Sequence, residues 1–344
     1  MKKLTITAAR PGEKAFTRTW VTTDAGETYT EKRLREVSTR LHAVYQQAAS
    51  DLYMKQTSWL HAHEARVEKY QAQLRAGLIT KADYEAWMQG QLFQEEAWAL
   101  KRGQLARAMV DVDRQALAMI NDGKLDVFAE NANWMGYSIE HDLGASMGFG
   151  LYDRQTLARL IRDQPTLLPM PTIDEEKDFA WYNKVISDAV TQGILQGETL
   201  DQIVLRVATD TGEKSLYAMR RNARTAYTGA QNAGRIEGLR QARDELGIAV
   251  KKRWLATLDS KTRDAHANLD GQVAEIDEPF DSLLGPIMYP GDPDAEPANV
   301  YNCRCTLTYV YEKYSTAAVP RVDAETGENV GGMTYEEWRR MKAA

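Results

Sequence analysis

The chain has 344 residues, 43% of them hydrophobic and 27% charged, with a formal net charge of -6. This balance excludes a disordered chain and gives no global drive toward nucleic acid. Two cysteines are too few for a disulfide framework, and no run reaches the roughly 18 apolar residues of a membrane span; two or three domains, made in a reducing cytoplasm and kept there unless another particle carries them, are expected.

Proline placement divides the chain. Pro11 is the only proline before Pro165, three prolines fall in 164–171, none follows until Pro279, and five lie from Pro279 to Pro297. Because proline breaks helix interiors, the proline-free tracts permit long helices. The expected divisions are an N-terminal helical region over 1–163, a proline-rich linker over 164–173, a second helical part over 174–248, a C-terminal α+β domain over 249–314, and a tail over 315–344. The fold class is mainly α, with long N-terminal helices in an elongated bundle and a small C-terminal α+β domain.

The first tract, Glu31 to Ala76, lacks both Gly and Pro. Leu34, Val37, Leu41, Val44, Ala48, Leu52 and Trp59 recur mostly at three- and four-residue steps, which predicts one apolar helix face. Gly77 ends it. Thr80-Lys81-Ala82-Asp83 reads as a capping box opening a helix through Tyr84, Trp87 and Met88. A further helix is expected over 92–121, with Trp98, Leu105, Met109, Leu117 and Ile120 inward and Asn121-Asp122-Gly123 closing it. No chemistry is visible in this region: His42, His61, His63 and His141 have no cysteine or clustered acidic partner in sequence.

The segment 172–176 starts a helix holding Phe179, Trp181, Tyr182 and Ile186, and 197–200 opens a short one. A longer helix over about 213–246 is basic, with ten Lys/Arg against three Asp/Glu from Lys214 to Arg253. Arg221, Arg224, Gln231 and Arg235 can share a broad face. Such a strip suits phosphates or an acidic partner. The reading preferred for it is a solvated face balanced by acidic residues elsewhere, since only Tyr217 and Tyr227 interleave as stacking groups.

The C-terminal part holds the unusual residues. Lys252 to Thr257 suits a strand around Trp254. Asp259 can cap a helix from Ser260 to about Asn268, and Gly271 stands where a C-terminal glycine belongs. Asp259, Arg263 and His266, at i, i+4 and i+7, would then form one polar face. Cys303, Cys305, Leu307, Tyr309 and Tyr311 alternate with Arg304, Thr306, Thr308 and Val310 as in a strand.

Three readings compete for these residues. One is a zinc site made by His266, Cys303 and Cys305, with Asp270 or Asp292 as the fourth ligand. Against it, the spacing is C-x-C and the thiols share a face with Leu307 and Tyr309. A second is metal- or cysteine-dependent catalysis on nucleic acid or a nucleotide. The deaminase pattern lacks its glutamate, because His266 is followed by Ala267-Asn268. The third, preferred on physical grounds, is structural: Asp259, Arg263, His266 and Arg304 brace a loop-rich fold.

The ordered series from Trp254 and Asp259 through Arg263, His266, Asp270-Gly271, Phe280, Pro290-Gly291-Asp292-Pro293 and Asn302-Cys303-Arg304-Cys305 resembles the C-terminal signature of the phage minor head proteins. This is the family of the Mu F protein and the SPP1 head morphogenesis protein. The helix ahead of it, with Arg224-Thr225 and Asn232, resembles the family's preceding helix, though Ala226 stands where the family often has Glu. The resemblance covers about residues 180–312. It implies a non-enzymatic structural component of the phage head interior, made in the host cytoplasm and bound to the portal protein, with the major capsid or scaffold protein and nonspecific DNA as further contacts and no membrane. It implies a role in head morphogenesis and DNA packaging or delivery. Some relatives carry toxin domains after this module, and none is expected in the residues beyond it here. The tail, with Gly331-Gly332 and Thr334 to Trp338, reads as a linker and a short capped helix.

Overall fold

The computed structural model describes residues 4–8, 16–20, 24–92, 95–144, 146, 148–196, 198, 200–257, 261–311 and 340–341. Asp259, Gly197 and Thr199 of the expected helix opening, and the expected tail helix fall outside these residues, as do the side chains of Trp59, His61, His63, Met88 and Trp98.

Helices α1 (Ala25–Arg75), α2 (Lys81–Leu92), α3 (Glu95–Leu143), α4 (Arg154–Asp163), α5 (Glu175–Leu195) and α6 (Leu200–Arg240) dominate the chain. Their boundaries follow local chemistry. Asp24 opens α1 by accepting the Glu27 N–H at 2.8 Å. At its other end the Leu78 N–H reaches the Gln73 carbonyl at 2.9 Å, a closing bond that spans Gly77. The capping box at α2 is reciprocal: the Asp83 N–H donates to Thr80 Oγ1 at 3.1 Å and the Thr80 N–H to Asp83 Oδ2 at 2.9 Å. Asp174 caps α5 through the Lys177 N–H.

Two expected breaks do not occur. Helix α3 runs through Asn121-Asp122-Gly123 to Leu143. Gly123 is there for space, since a Cβ on it would lie 1.8 Å from the Tyr227 hydroxyl. The short helix after 200 and the longer one after 213 are a single helix, α6, in which Gly212 packs against Ala49, 3.2 Å from a Cβ built on the glycine. Interior glycine lowers helix propensity by only about 1 kcal/mol, which close packing can offset.

The chain forms two compact units, each assembled from separated segments: 1–35, 123–169 and 224–344 in the first, 36–122 and 170–223 in the second. In the second unit, Val37, Leu41, Tyr45, Ala48 and Leu52 form the buried stripe of α1, with Leu105, Met109, Tyr182, Ile186 and Val207 also in the core. Asp113 is buried within this unit. It accepts hydrogen bonds from the hydroxyls of Tyr45 and Tyr182, the latter at 2.7 Å, and burial raises its carboxyl to about 6.

The first unit holds a hairpin of β1 (Leu4–Ala8) and β2 (Phe16–Trp20), which the sequence reading missed, and the small α+β region. The latter contains β3 (Val250–Leu255), α7 (Asp264–Leu269), β4 (Val273–Ala274), β5 (Phe280–Ser282), β6 (Gly285–Ile287), α8 (Pro297–Val300) and β7 (Thr306–Tyr311). Strands β4, β3 and β7 form an antiparallel sheet in that order, with Trp254 opposite Leu307, and β5 and β6 form a separate hairpin. The core here joins Met135, Phe149, Ile236, Trp254, Leu269, Phe280, Cys303, Cys305 and Leu307.

Two details differ from expectation. The α7 helix begins at Asp264, and Arg263 is its extended N-cap, so Arg263 and His266 do not share a helix face. Thr262 Oγ1 donates to the Thr257 carbonyl, and residues 261–263 lie outside the helix. The cysteines precede β7 rather than lying in it, although Cys303, Cys305 and Leu307 all face the core.

Candidate functional site: a buried histidine–dithiol cluster

Asn299, on the single turn of α8, sets the geometry around His266. Its Nδ2 donates to the Gly285 carbonyl at 3.1 Å and its Oδ1 accepts from Ser282 Oγ at 3.2 Å. The amide oxygen therefore faces His266 Nε2, 2.9 Å away, and that nitrogen carries the ring hydrogen. Nδ1 is left with its lone pair toward both sulfurs, 3.4 Å from Cys303 Sγ and 3.6 Å from Cys305 Sγ.

All three residues are buried, with exposures of 2–3%. The ring of Trp254 meets His266 and Phe280 edge-on, at 5.5 and 5.3 Å between centroids. The Cys305 N–H points at Cys303 Sγ, 3.3 Å away. The hydrogen bond shared by the two thiols pulls Cys305 below the usual thiol range and, together with burial, pushes Cys303 well above it. Asp270 and Asp292 stand apart from the cluster. Asp270 Oδ1 accepts the Ala256 N–H at 2.9 Å, and Asp292 accepts the N–H groups of Met288 and Asp294 at 2.9 and 3.0 Å. Among the described residues the ligand-type group consists of His266, Cys303 and Cys305, with donor atoms within 4.8 Å of one another.

The other signature residues hold loops. Arg263 donates to the Tyr301 carbonyl, and the Arg304 carbonyl accepts from Thr257 Oγ1 at 2.7 Å. Asn302 has a φ of 57°, a left-handed backbone that asparagine tolerates, and its N–H reaches Thr225 Oγ1 at 2.9 Å. Gly271 follows α7 with a φ of 78°. Pro290 offers its carbonyl to Asn232 Nδ2 at 3.1 Å, beside Gly291.

A polar seam along α6 receives this whole region. Thr228 donates to the Cys303 carbonyl at 2.9 Å, Gln231 to Thr306 at 2.8 Å, and Asn232 Oδ1 accepts the Leu307 N–H at 2.9 Å. Arg235 belongs to this seam and not to a surface strip. It is 1% exposed, donates to the Leu307 carbonyl at 2.8 Å and to Asn131 at 3.0 Å, and its Nη2 reaches both carboxylate oxygens of Asp24 at 2.8 Å. Arg224 is part-buried and pairs with Glu31 at 3.3 Å, while Arg221 is exposed. Arg235 cannot join the candidate strip: 224 and 235 are separated by only about 20° around a helix, and from Thr228 to Arg235 that face packs against the residues before and within β7. Further along, Arg240 and Arg243 both pair with Asp277, and Lys251 with Glu275. Acidic residues elsewhere thus balance much of the basic segment.

A mainly helical chain whose long α6 helix carries a small α+β cap, held by a polar seam and buried cysteines, defines the class. The family profile described as Phage Mu protein F like protein matches residues 184–308, which span the latter part of α5, α6 and the cap. The chain is 30% identical over 234 residues to minor head protein GP7 of Bacillus phage SPP1, a match covering 67% of this chain and 74% of that protein. The chain belongs to the phage Mu protein F-like family of minor head proteins. It is also 32% identical over 157 residues to the NAD(+)--arginine ADP-ribosyltransferase EFV of Enterococcus faecalis, covering 44% of this chain but 30% of that protein. A third relative, uncharacterized protein YqbB of Bacillus subtilis, is 26% identical over 152 residues, 43% of this chain and 48% of its own length. No solved structure matches the chain significantly. No helix among the described residues is long and apolar enough to cross a membrane.

Proposed function

We propose that this phage head protein works without catalysis, inside the head beside the portal, where it assists head assembly and DNA packaging or delivery. The observation carrying this reading is the breadth of the GP7 match, which takes in 74% of that minor head protein and is not confined to the cap. The site chemistry is in keeping with it. A nucleophilic thiol must be reached by its substrate, and Cys303 and Cys305 are 2% and 3% exposed. The match to the ADP-ribosyltransferase covers 30% of that enzyme, which gives no ground for assigning its activity to this chain.

The portal protein is the partner proposed first, with the major capsid or scaffold protein second. Co-expression of the full chain with the portal encoded by the same phage tests this. Co-purification through portal affinity capture, surviving moderate salt, is the expected result. A portal that emerges without the chain, from cells in which both are soluble, overturns the portal assignment. Nonspecific DNA contact is a separate matter, read by binding at low salt and its loss as salt rises.

A further inference from the structure

We propose that His266, Cys303 and Cys305 bind one zinc ion, which staples the cap of this protein together. The donor separations carry the inference. Zn–S bonds of about 2.3 Å and a Zn–N bond of about 2.0–2.1 Å, meeting at a tetrahedral angle, place sulfur and nitrogen about 3.6 Å apart. Cys303 Sγ and Cys305 Sγ lie 3.4 and 3.6 Å from His266 Nδ1. Both separations are close to that value, and the three ligand atoms lie within 4.8 Å of one another.

The surroundings are those of a ligand histidine. Nδ1 is free of hydrogen because Nε2 donates to Asn299 Oδ1, whose orientation is fixed by Gly285 and Ser282. An outer partner of this kind selects the tautomer and holds the ring. The sulfurs receive backbone N–H groups, that of Cys305 at Cys303 and that of Thr257 at Cys305, which suit thiolates. Charge closes as well. Zinc with two thiolates and a neutral imidazole is neutral overall, so the assembly can be buried beside Trp254 and Phe280 without a further counter-ion. Binding forms two Zn–S bonds and one Zn–N bond and releases to solvent the protons that the two sulfurs still carry.

The ligands come from α7 and from the loop before β7, and the loop's other end is held by Asn299. Around them β4, β5 and β6 have two or three residues each, too few to define a core by pairing alone. Metal binding would supply folding energy where the strands do not.

The test uses the full chain, purified with a tag that carries no metal ligands. Elemental analysis should find about one zinc per chain. After chelation, titration with cobalt(II) alone should produce thiolate-to-metal charge-transfer bands and tetrahedral ligand-field bands. Asn299→Ala should retain these bands but weaken metal affinity by about 10-fold or more, as expected of a group that orients a ligand. The double variant Cys303→Ser, Cys305→Ser should lose the charge-transfer bands. Wild-type protein that is metal-free as purified and gives no charge-transfer band with cobalt overturns the proposal, whatever the variants do. The cluster is then a hydrogen-bonded thiol–imidazole core.

Discussion

Gly229 on α6 and Gly291 in the loop after β6 meet backbone against backbone. A Cβ built on Gly229 would lie 2.7 Å from the Gly291 carbonyl oxygen, and one on Gly291 would lie 2.5 Å from the Gly229 nitrogen. Gly291 also has a φ of 83°, which side chains resist. The approach brings Pro290 within reach of Asn232 and so joins the proline-rich loop to the helix.

Gly291→Ala is therefore expected to lower stability by at least about 2 kcal/mol, through clash and backbone strain together. Gly229→Ala, which adds the clash without the strain, should cost less. Denaturant unfolding of the two variants measures both. Equal effects would show that the left-handed backbone of Gly291 adds nothing.

Asn302 offers a cleaner test of backbone strain. It is exposed and holds a φ of 57°, and what its backbone N–H donates to is Thr225. Asn302→Gly should be neutral to within about 0.5 kcal/mol, whereas the β-branched Asn302→Val should cost about 1–2 kcal/mol. Thermal midpoints compared at one pH would reveal the difference.

Arg235 and Asp24 predict an asymmetry. Arg235 is buried, whereas the Asp24 side chain keeps 18% exposure. Asp24→Ala strands a buried guanidinium and removes the α1 cap, for an expected loss of about 3–5 kcal/mol. Adding Arg235→Met to that variant should recover part of the loss, because the uncompensated charge goes with it. A double variant less stable than Asp24→Ala alone would show that the bonds from Arg235 to Leu307 and Asn131 outweigh the ion pair.

Asp113 in the second compact unit predicts a pH dependence. Burial raises its carboxyl from 3.8 to about 6, so between those values the folded protein holds a proton that the unfolded chain releases. Its contribution is fully present below about pH 4 and is lost as pH rises through about 6. The loss is on the order of 2–3 kcal/mol at neutral pH. Asp113→Asn should flatten this component. The stability of wild type minus that of the variant should fall from pH 4 to pH 7, and a difference that rises would reverse the assignment.

Much of the secondary structure was legible because it is local. The stripe of α1, the reciprocal box of Thr80 and Asp83, the helix start within 172–176 and the glycine after α7 each depend on residues a few positions apart. The breaks expected at Gly123 and near residue 212 were misread because their glycines answer to partners distant in sequence, Tyr227 and Ala49. The strands β4, β5 and β6 are too short to show a period. Asn299 could not be singled out, since its meaning lies in His266, Gly285 and Ser282.

What the sequence determined by itself was the helical class, the caps, the ordered signature and with it the family, all properties written in spacing along the chain. Only the tertiary structure decided that Arg235 is a buried member of a seam, that Asp270 and Asp292 serve backbone amides, and that His266 turns Nδ1 to both thiols. Those outcomes depend on which surfaces are removed from water. A charge on a helix face reads the same in sequence whether it meets solvent or a carbonyl. The cost of burial, and the partners that offset it, exist only once distant segments have packed.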